Sequence, residues 1–317
     1  MSNSPSRPPL TADAVRQHVA DPWPLPGAGA TARRWASLAD LAADDLPLVK
    51  VVEPHHDAVA ILAELGGPTP GTDEIWGVWA AEPPFAVLEA TGRDDAWTLT
   101  GTKAFCSGAS LVTHALVTAR TDRGSRLFAV DLAADGIAAA QSGPTWSGPG
   151  MSRADTSSLT FDGVPARPVG TVGAYVDRAG FWLGAIGIAA CWIGGARGVA
   201  ATLEGSAEKL DAHGLAHLGA VRSALVTSAL ALDAAADLAD RDPLPVDQAE
   251  RLAHSLRAHA AGVVESVVSH VGRASGPGPL AFDAAHAEHV HDLQVFVRQH
   301  HAERDLERLG ALGGLHD

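Results

Sequence analysis

The stretch WTLTGTKAFCSGAS, Trp97 to Ser110, begins as one kind of structure and ends as another. Trp97 and Leu99 alternate with Thr98 and Thr100, the period of a half-buried strand. A glycine and a lysine then interrupt the pattern. An aromatic (Phe105), a thiol (Cys106), a hydroxyl (Ser107) and a second glycine follow. A strand built only for packing rarely places those types in a row, so the segment is a candidate for presentation at a strand end. Cys106 is expected to be a small buried apolar residue rather than a reactive thiol. A second pair of chemically able residues is His300–His301, imidazoles whose ordinary pKa suits general-base work at neutral pH. The alternative is that both decorate a polar helix face beside Glu303 and Arg304.

Other clusters invite a metal and do not support one. His286, His289 and Asp292 recur at three-residue spacing and could share a helix face. The chain holds 15 histidines, so such spacing arises by accident, and a solvated face is expected. The pair His55–His56 is read the same way, and no metal is expected. Trp76 and Trp79 lie three apart just before Glu82, either walling a cavity or packing in the core.

These residues must be held by a chain of 317 residues with 46% apolar and 19% charged side chains, enough for several packed layers. The formal net charge of −14 argues against bulk electrostatic binding to nucleic acid or an anionic membrane. Two cysteines leave no disulfide framework and fit the reducing cytoplasm. The opening MSNSPSRPPL has no apolar run that would read as a secretory signal and is expected to be a frayed tail. Phe181 to Leu203 is nearly uniformly apolar and long enough to span a membrane, but it is glycine-rich and broken by Arg197. A buried central helix of a bundle is expected there.

Three regions follow from the periodicity. Residues 1–73 carry short helical pieces between proline clusters, with Asp57 a candidate N-cap and Gly66–Gly67 a stop. Residues 74–170 carry short alternating strands about ten residues apart, the spacing of a small barrel or sandwich. Residues 171–317 carry long helical runs over 181–203, 217–239, 246–271 and 283–309, broken by RDPLP and RASGPGPL. Within the middle region, Ser158 to Phe161 alternate strictly before Asp162–Gly163, which reads as a hairpin turn.

Taken in order, these features resemble the acyl-CoA dehydrogenase family. Gly101, Lys103, Phe105 and Ser107 match one of its segments. Gly150, Met151, Asp155, Thr156, Phe161, Asp162 and Val164 match another. Glu82 and Pro83 match its Thr-Glu-Pro, with Ala81 in place of the threonine. The resemblance implies an α+β fold: an N-terminal helical region, a central small β-barrel or sandwich and a C-terminal four-helix bundle. It implies FAD as cofactor, with Phe105, Cys106 and Ser107 against the flavin and Trp79 and Glu82 beside it. It implies an acyl thioester substrate, carried on CoA or a protein, an electron acceptor, and a homo-oligomer.

The departures are equally specific. The resemblance puts the proton-abstracting glutamate either at His300, with His301 adjacent, or near Gly184, where no carboxylate stands. Histidine in this region also occurs in relatives that hydroxylate with flavin and oxygen. The diphosphate-binding segment is degraded to a lone Lys209, which leaves Arg273 and Arg298 as the candidate cations. Three readings follow: a dehydrogenase, a flavin monooxygenase of the same fold, or a non-catalytic binding or assembly partner.

Overall fold

The computed structural model describes residues 7–141 and 145–313; the tail read at the extreme N-terminus lies partly outside them. Three helices come first, α1 (Ala12–Val19), α2 (Thr31–Asp44) and α3 (Leu46–Leu65). Strands β1 (Trp76–Trp79), β2 (Leu88–Arg93), β3 (Ala96–Cys106), β4 (His114–Thr121), β5 (Gly124–Asp131), β6 (Ile137–Ala139) and β7 (Ser157–Val169) follow. The chain ends in α4 (Ala179–Glu204), α5 (Ala212–Arg241), α6 (Val246–Ser275), α7 (Gly278–Phe282), α8 (Ala284–Phe296) and α9 (Glu303–Ala311).

The sheet runs β1-β4-β2-β3-β7-β5, and β5 pairs back with β4, so five strands close into a small barrel. Closure removes the free edges that an open sheet would have to protect. Its interior is filled by Leu99, Cys106, Val117, Phe128, Phe161 and Val164. β7 does not turn at Asp162–Gly163 as the alternation suggests. It continues to Val169, and the two residues form a bulge opposite β3, between the pairs Leu99–Val164 and Gly101–Phe161. Gly163 takes the left-handed conformation there and donates its amide to Thr100 Oγ1.

Helix α3 starts eleven residues before the expected N-cap Asp57. Its cap is Asp45, whose carboxylate accepts the Leu48 amide, with Pro47 in the first turn where its missing N–H costs nothing. The helix runs through Pro54 and stops at Gly66 in the left-handed conformation, as expected. Asp57 therefore lies mid-helix.

α4 is the central helix that its composition suggests, with Ile186, Cys191, Trp192 and Ala196 fully enclosed. Its glycines allow close helix crossing: a β-carbon at Gly194 would stand 2.1 Å from the Ala39 carbonyl oxygen of α2. α5 is also long and apolar but buries only one side, leaving Leu215, Val226, Leu230 and Leu238 exposed.

Two other expectations are corrected. The run 283–309 is not one helix: α8 ends in a 3-10 turn at Val297–Gln299, and α9 starts after Ala302, whose φ is +47°. The face with His286, His289 and Asp292 is not solvated. His286 bonds Thr202 Oγ1 at 2.8 Å and His289 meets the Gly195 carbonyl at 3.0 Å. No metal-ligating group of three forms among the described residues. His55 and His56 are buried as well, His56 stacking on Trp23 at 3.9 Å.

Candidate functional site

At the end of β3 the period of two breaks. Lys103 and Ala104 both point inward, Phe105 points out, and Cys106 points in again. The break is a bulge between Lys103 and Cys106, with Phe105 at φ +58°, a conformation unfavourable for a bulky side chain. The result is an aromatic ring 47% exposed, met edge-on by Phe85 at 6.0 Å, itself 56% exposed. Two exposed phenylalanines side by side mark a surface with something to cover.

The segment is held from three directions. Beneath it, Trp79 is 2% exposed and donates its indole N–H to the Ser107 carbonyl at 3.1 Å. Trp79 thus acts on the segment by supporting it and presents no face of its own. Lys103 is buried, donating to the Thr118 carbonyl at 2.6 Å and the Thr118 hydroxyl at 2.8 Å, which pins β3 to β4. Burial lowers its pKa to about 8. Beside it lies the Gly-Met segment, and the two motifs are laced into one unit. Gly108 N–H bonds the Ala154 carbonyl, Ala109 N–H the Asp155 carbonyl, and Ser110 N–H the Asp155 carboxylate. Ser107 Oγ lies 2.9 Å from Thr156 Oγ1. One hydroxyl hydrogen makes that bond, so the other stays free to donate outward.

The Gly-Met segment is anchored to the helical part. Asp292 of α8, almost fully buried, accepts the Met151 amide. Burial raises the Asp292 pKa to about 6 despite that bond. Gly150 is required because a β-carbon there would stand 2.5 Å from the His291 carbonyl oxygen. Cys106 is fully buried and its thiol is pushed up to about 12 by burial, which keeps it protonated and inert. Glu82 is exposed and accepts the Ser125 hydroxyl at 2.7 Å.

A cavity of about 610 Å³ opens where α3, α4, α6 and α9 meet β1, with Val78 in its wall next to Trp79. α3 contributes Lys50, Glu53 and Asp57, spaced three and four apart on one face. The sequence does signal this stripe, as charges inside the otherwise apolar run LPLVKVVEPHHDAVAIL, where Asp57 reads only as an N-cap. Burial, then the nearby Asp57 charge, raise the Glu53 pKa to about 7, although Lys50 and Arg34 oppose this. Asp57 is raised too, chiefly by burial. Its Oδ1 has no hydrogen-bond partner.

The far wall is the break between α8 and α9. His301 lines the cavity and is 56% exposed, with Nδ1 3.3 Å from Asp305. His300 lies behind it, 8% exposed, its ring edge-on to Trp192 and its Nε2 without a hydrogen bond, 3.9 Å from Asp305. Burial lowers its pKa, so it is neutral at pH 7 and can accept a proton. Arg257 fixes this wall. It stacks over Trp192 at 4.6 Å and donates to the Gln299 carbonyl at 2.9 Å.

The remaining candidates stand apart. Arg298 is on the surface, paired with Glu265 at 3.2 Å. Arg273 is exposed in the last turn of α6. Lys209 lies in the 3-10 turn Ala207–Lys209.

Residues 82–164 match the family model for the acyl-CoA dehydrogenase middle domain. No curated protein matches the chain by sequence. Among solved structures, TdsC from Paenibacillus sp. A11-2, a dibenzothiophene monooxygenase solved with FMN and indole, is 18% identical. That alignment covers 94% of this chain and 88% of TdsC, with a TM-score of 0.78. KijD3, solved with FMN and a dTDP-linked amino keto sugar, is 18% identical over 95% of this chain and 84% of its own, TM-score 0.77. A Tcur3481–Tcur3483 steroid acyl-CoA dehydrogenase variant is 22% identical over 95% and 86%, TM-score 0.69. The chain is a divergent protein of the acyl-CoA dehydrogenase-like fold, and its β-barrel region carries that family's middle domain.

Proposed function

We propose that this protein is a flavin-dependent oxidoreductase of the monooxygenase type, using FMN or the FMN half of FAD, and acting on a small polar molecule. The observation that carries the choice is the cavity lining. Lys50, Glu53, Asp57, Glu250, His254, Arg257 and Asp305 line it together with Val78, Tyr175, Phe181, Trp182 and Ile188. A ligand with polar groups as well as an apolar body fits that mixed lining better than a plain acyl chain, which would strand the charged groups against hydrocarbon.

The residues at the end of β3 fit a flavin. The exposed Phe105 ring offers a flat apolar face, and the free hydroxyl hydrogen of the Ser107–Thr156 pair offers a donor to a polar ring edge. When bound, the flavin would supply the redox chemistry, accepting electrons or activating dioxygen. The chain's own residues do the rest. Phe105 and Phe85 cover the ring, Ser107 orients its edge, and Trp79 and Asp292 keep the two loops in register. Neutral His300, or His301 at the cavity wall, takes a proton, and Asp305 stabilises the imidazolium that results. TdsC and KijD3, both solved with FMN, support the choice of flavin. Arg298 is already paired with Glu265, which weakens the case for it as a diphosphate grip on FAD.

Dehydrogenation of an acyl thioester is the second reading, supported by the match to the middle-domain family. The test is to titrate the purified protein with FMN and with FAD, then add butyryl-, octanoyl- and palmitoyl-CoA without oxygen. Flavin binding with no bleaching by any thioester is expected. Bleaching within seconds would overturn the monooxygenase reading, and failure to bind either flavin would overturn both.

A further inference from the structure

We propose that the cavity beside α3 takes a ligand carrying a protonated amine, with the Asp57 carboxylate as its counter-ion and Glu53 as the second acceptor. This deepens the functional reading above and rests on its assignment of the cavity as the substrate site.

The argument starts from a glycine. Gly184 faces the cavity from α4, at the place where the resemblance would allow a carboxylate and the sequence has none. A β-carbon there would stand 3.0 Å from Asp57 Oδ1. The carboxylate is thus supplied from the neighbouring helix, and the missing side chain at 184 makes room for it. Asp57 lines the cavity, and its Oδ1, enclosed beside Gly184, has no hydrogen bond. A buried carboxylate oxygen without a partner is an acceptor awaiting a donor.

Most of the cations around it are directed elsewhere, and Arg304 lines the cavity from α9. Arg178, leading into α4, donates to Glu64 at 2.6 Å and to the Tyr175 carbonyl, leaving one nitrogen unpaired. Arg34 of α2 donates to the Pro24 carbonyl. Across the cavity, Arg308 grips Glu250 through two bonds and Arg257 serves the Ala185 and Gln299 carbonyls. The Lys50 ammonium lies over the Phe296 ring. Among the described residues no ion pair reaches Asp57 or Glu53. The two acids are one helical turn apart, and burial leaves both harder to ionise than in water, although Lys50 and Arg34 oppose this at Glu53 and Arg178 and Arg34 at Asp57. A charged donor within bonding distance of Asp57 Oδ1 is what none of these cations supplies, and a ligand can bring it. An ammonium offers three donors, enough to serve Asp57 Oδ1 and Glu53 together.

The test uses the full-length protein with its flavin content measured in the same samples, and three ring probes of one size: cyclohexylamine, cyclohexanol and cyclohexanecarboxylate. Binding is read by ligand-observed NMR and calorimetry at pH 7.5. The amine is expected to bind about tenfold or more tightly than the alcohol, the scale of one charged hydrogen bond. In Asp57→Asn that advantage is expected to vanish while alcohol binding stays. Gly184→Ala, which pushes a methyl against Oδ1, should reduce it without removing the charge, and keeps the test open if Asp57→Asn does not fold. Equal binding of amine and alcohol, or preferential binding of the carboxylate through Arg178 and Lys50, would overturn the proposal. Amine binding in a protein that takes no flavin would uphold this site and sink the redox reading instead.

Discussion

Ser107 and Thr156, 49 residues apart in the chain, bring their hydroxyls to 2.9 Å of each other. The bond joins the end of β3 to the start of β7 and uses one of the two hydroxyl hydrogens. With Thr156 donating that bond, Ser107 keeps the spare hydrogen for the flavin, and Ser107→Ala removes it. It is expected to weaken flavin binding about two- to twelvefold, the range for one hydrogen bond. Thr156→Val leaves Ser107 its hydrogen and should cost less. Fluorescence titration with FMN distinguishes the two, and equal losses would contradict the assignment.

Gly150 and Asp292 hold the same loop from the other side. In Gly150→Ala the new methyl meets the His291 carbonyl, so the loop must lift from α8 and strain the Met151–Asp292 bond. A stability loss of about 1–3 kcal/mol is expected, as for other overpacked sites. Urea denaturation measures it, and the same variant should bind flavin more weakly because the loop that carries Thr156 has moved.

Much of this was legible in the residues and part was not. The three-part order, the run of short strands and the buried α4 follow from periodicity, because burial of one face imposes it, whereas closure into a barrel rather than a sandwich rests on the β4–β5 pairing. Asp162–Gly163 reads as a hairpin because a left-handed glycine serves a bulge as well as a turn, and only pairing with β3 decides between them. Asp57 reads as an N-cap because Pro54 looks like a helix break. Gly101, Lys103 and Ser107 stood out by type, yet Lys103 proves to be a buried tie between strands. The place of Asp57 and Glu53 in the cavity is not legible in the sequence, because the carboxylate beside Gly184 of α4 arrives from α3. Tertiary contacts of that kind leave no local spacing to read.

The tight crossing of α2 and α4 gives a test of packing alone. Gly194→Ala gains helix propensity but drives a methyl into the Ala39 carbonyl. A net loss of about 1–3 kcal/mol is expected, with flavin affinity unchanged once folded. A stabilised variant in urea titration would contradict this crossing.

Acid sensitivity should come in part from two buried imidazoles. Burial lowers His55 to about 4 and His56 to about 3, from an ordinary 6.5. His55 Nδ1 accepts the Trp76 amide at 3.2 Å, which requires that nitrogen to be unprotonated. Between their folded values and 6.5 the unfolded chain binds more protons than the folded one. Stability is therefore lost as pH falls from about 6.5 towards 4 and 3, at about 1.4 kcal/mol per pH unit for each histidine. His56→Phe keeps the stack on Trp23 and removes one titration. Its stability should fall less steeply between pH 6 and 4 than that of the unaltered protein, and parallel curves would contradict the burial of His56.

The central claim is that a flavin ring edge sits against the Ser107 hydroxyl, and the nitrogen resonances of the ring read it directly. FMN labelled with 15N at N5 is bound to the unaltered protein and to Ser107→Ala. The account expects a bound N5 resonance that moves when the hydroxyl is removed, while the Phe105 ring keeps the flavin in place. An N5 resonance identical in the two proteins, or no bound flavin at all, would contradict it.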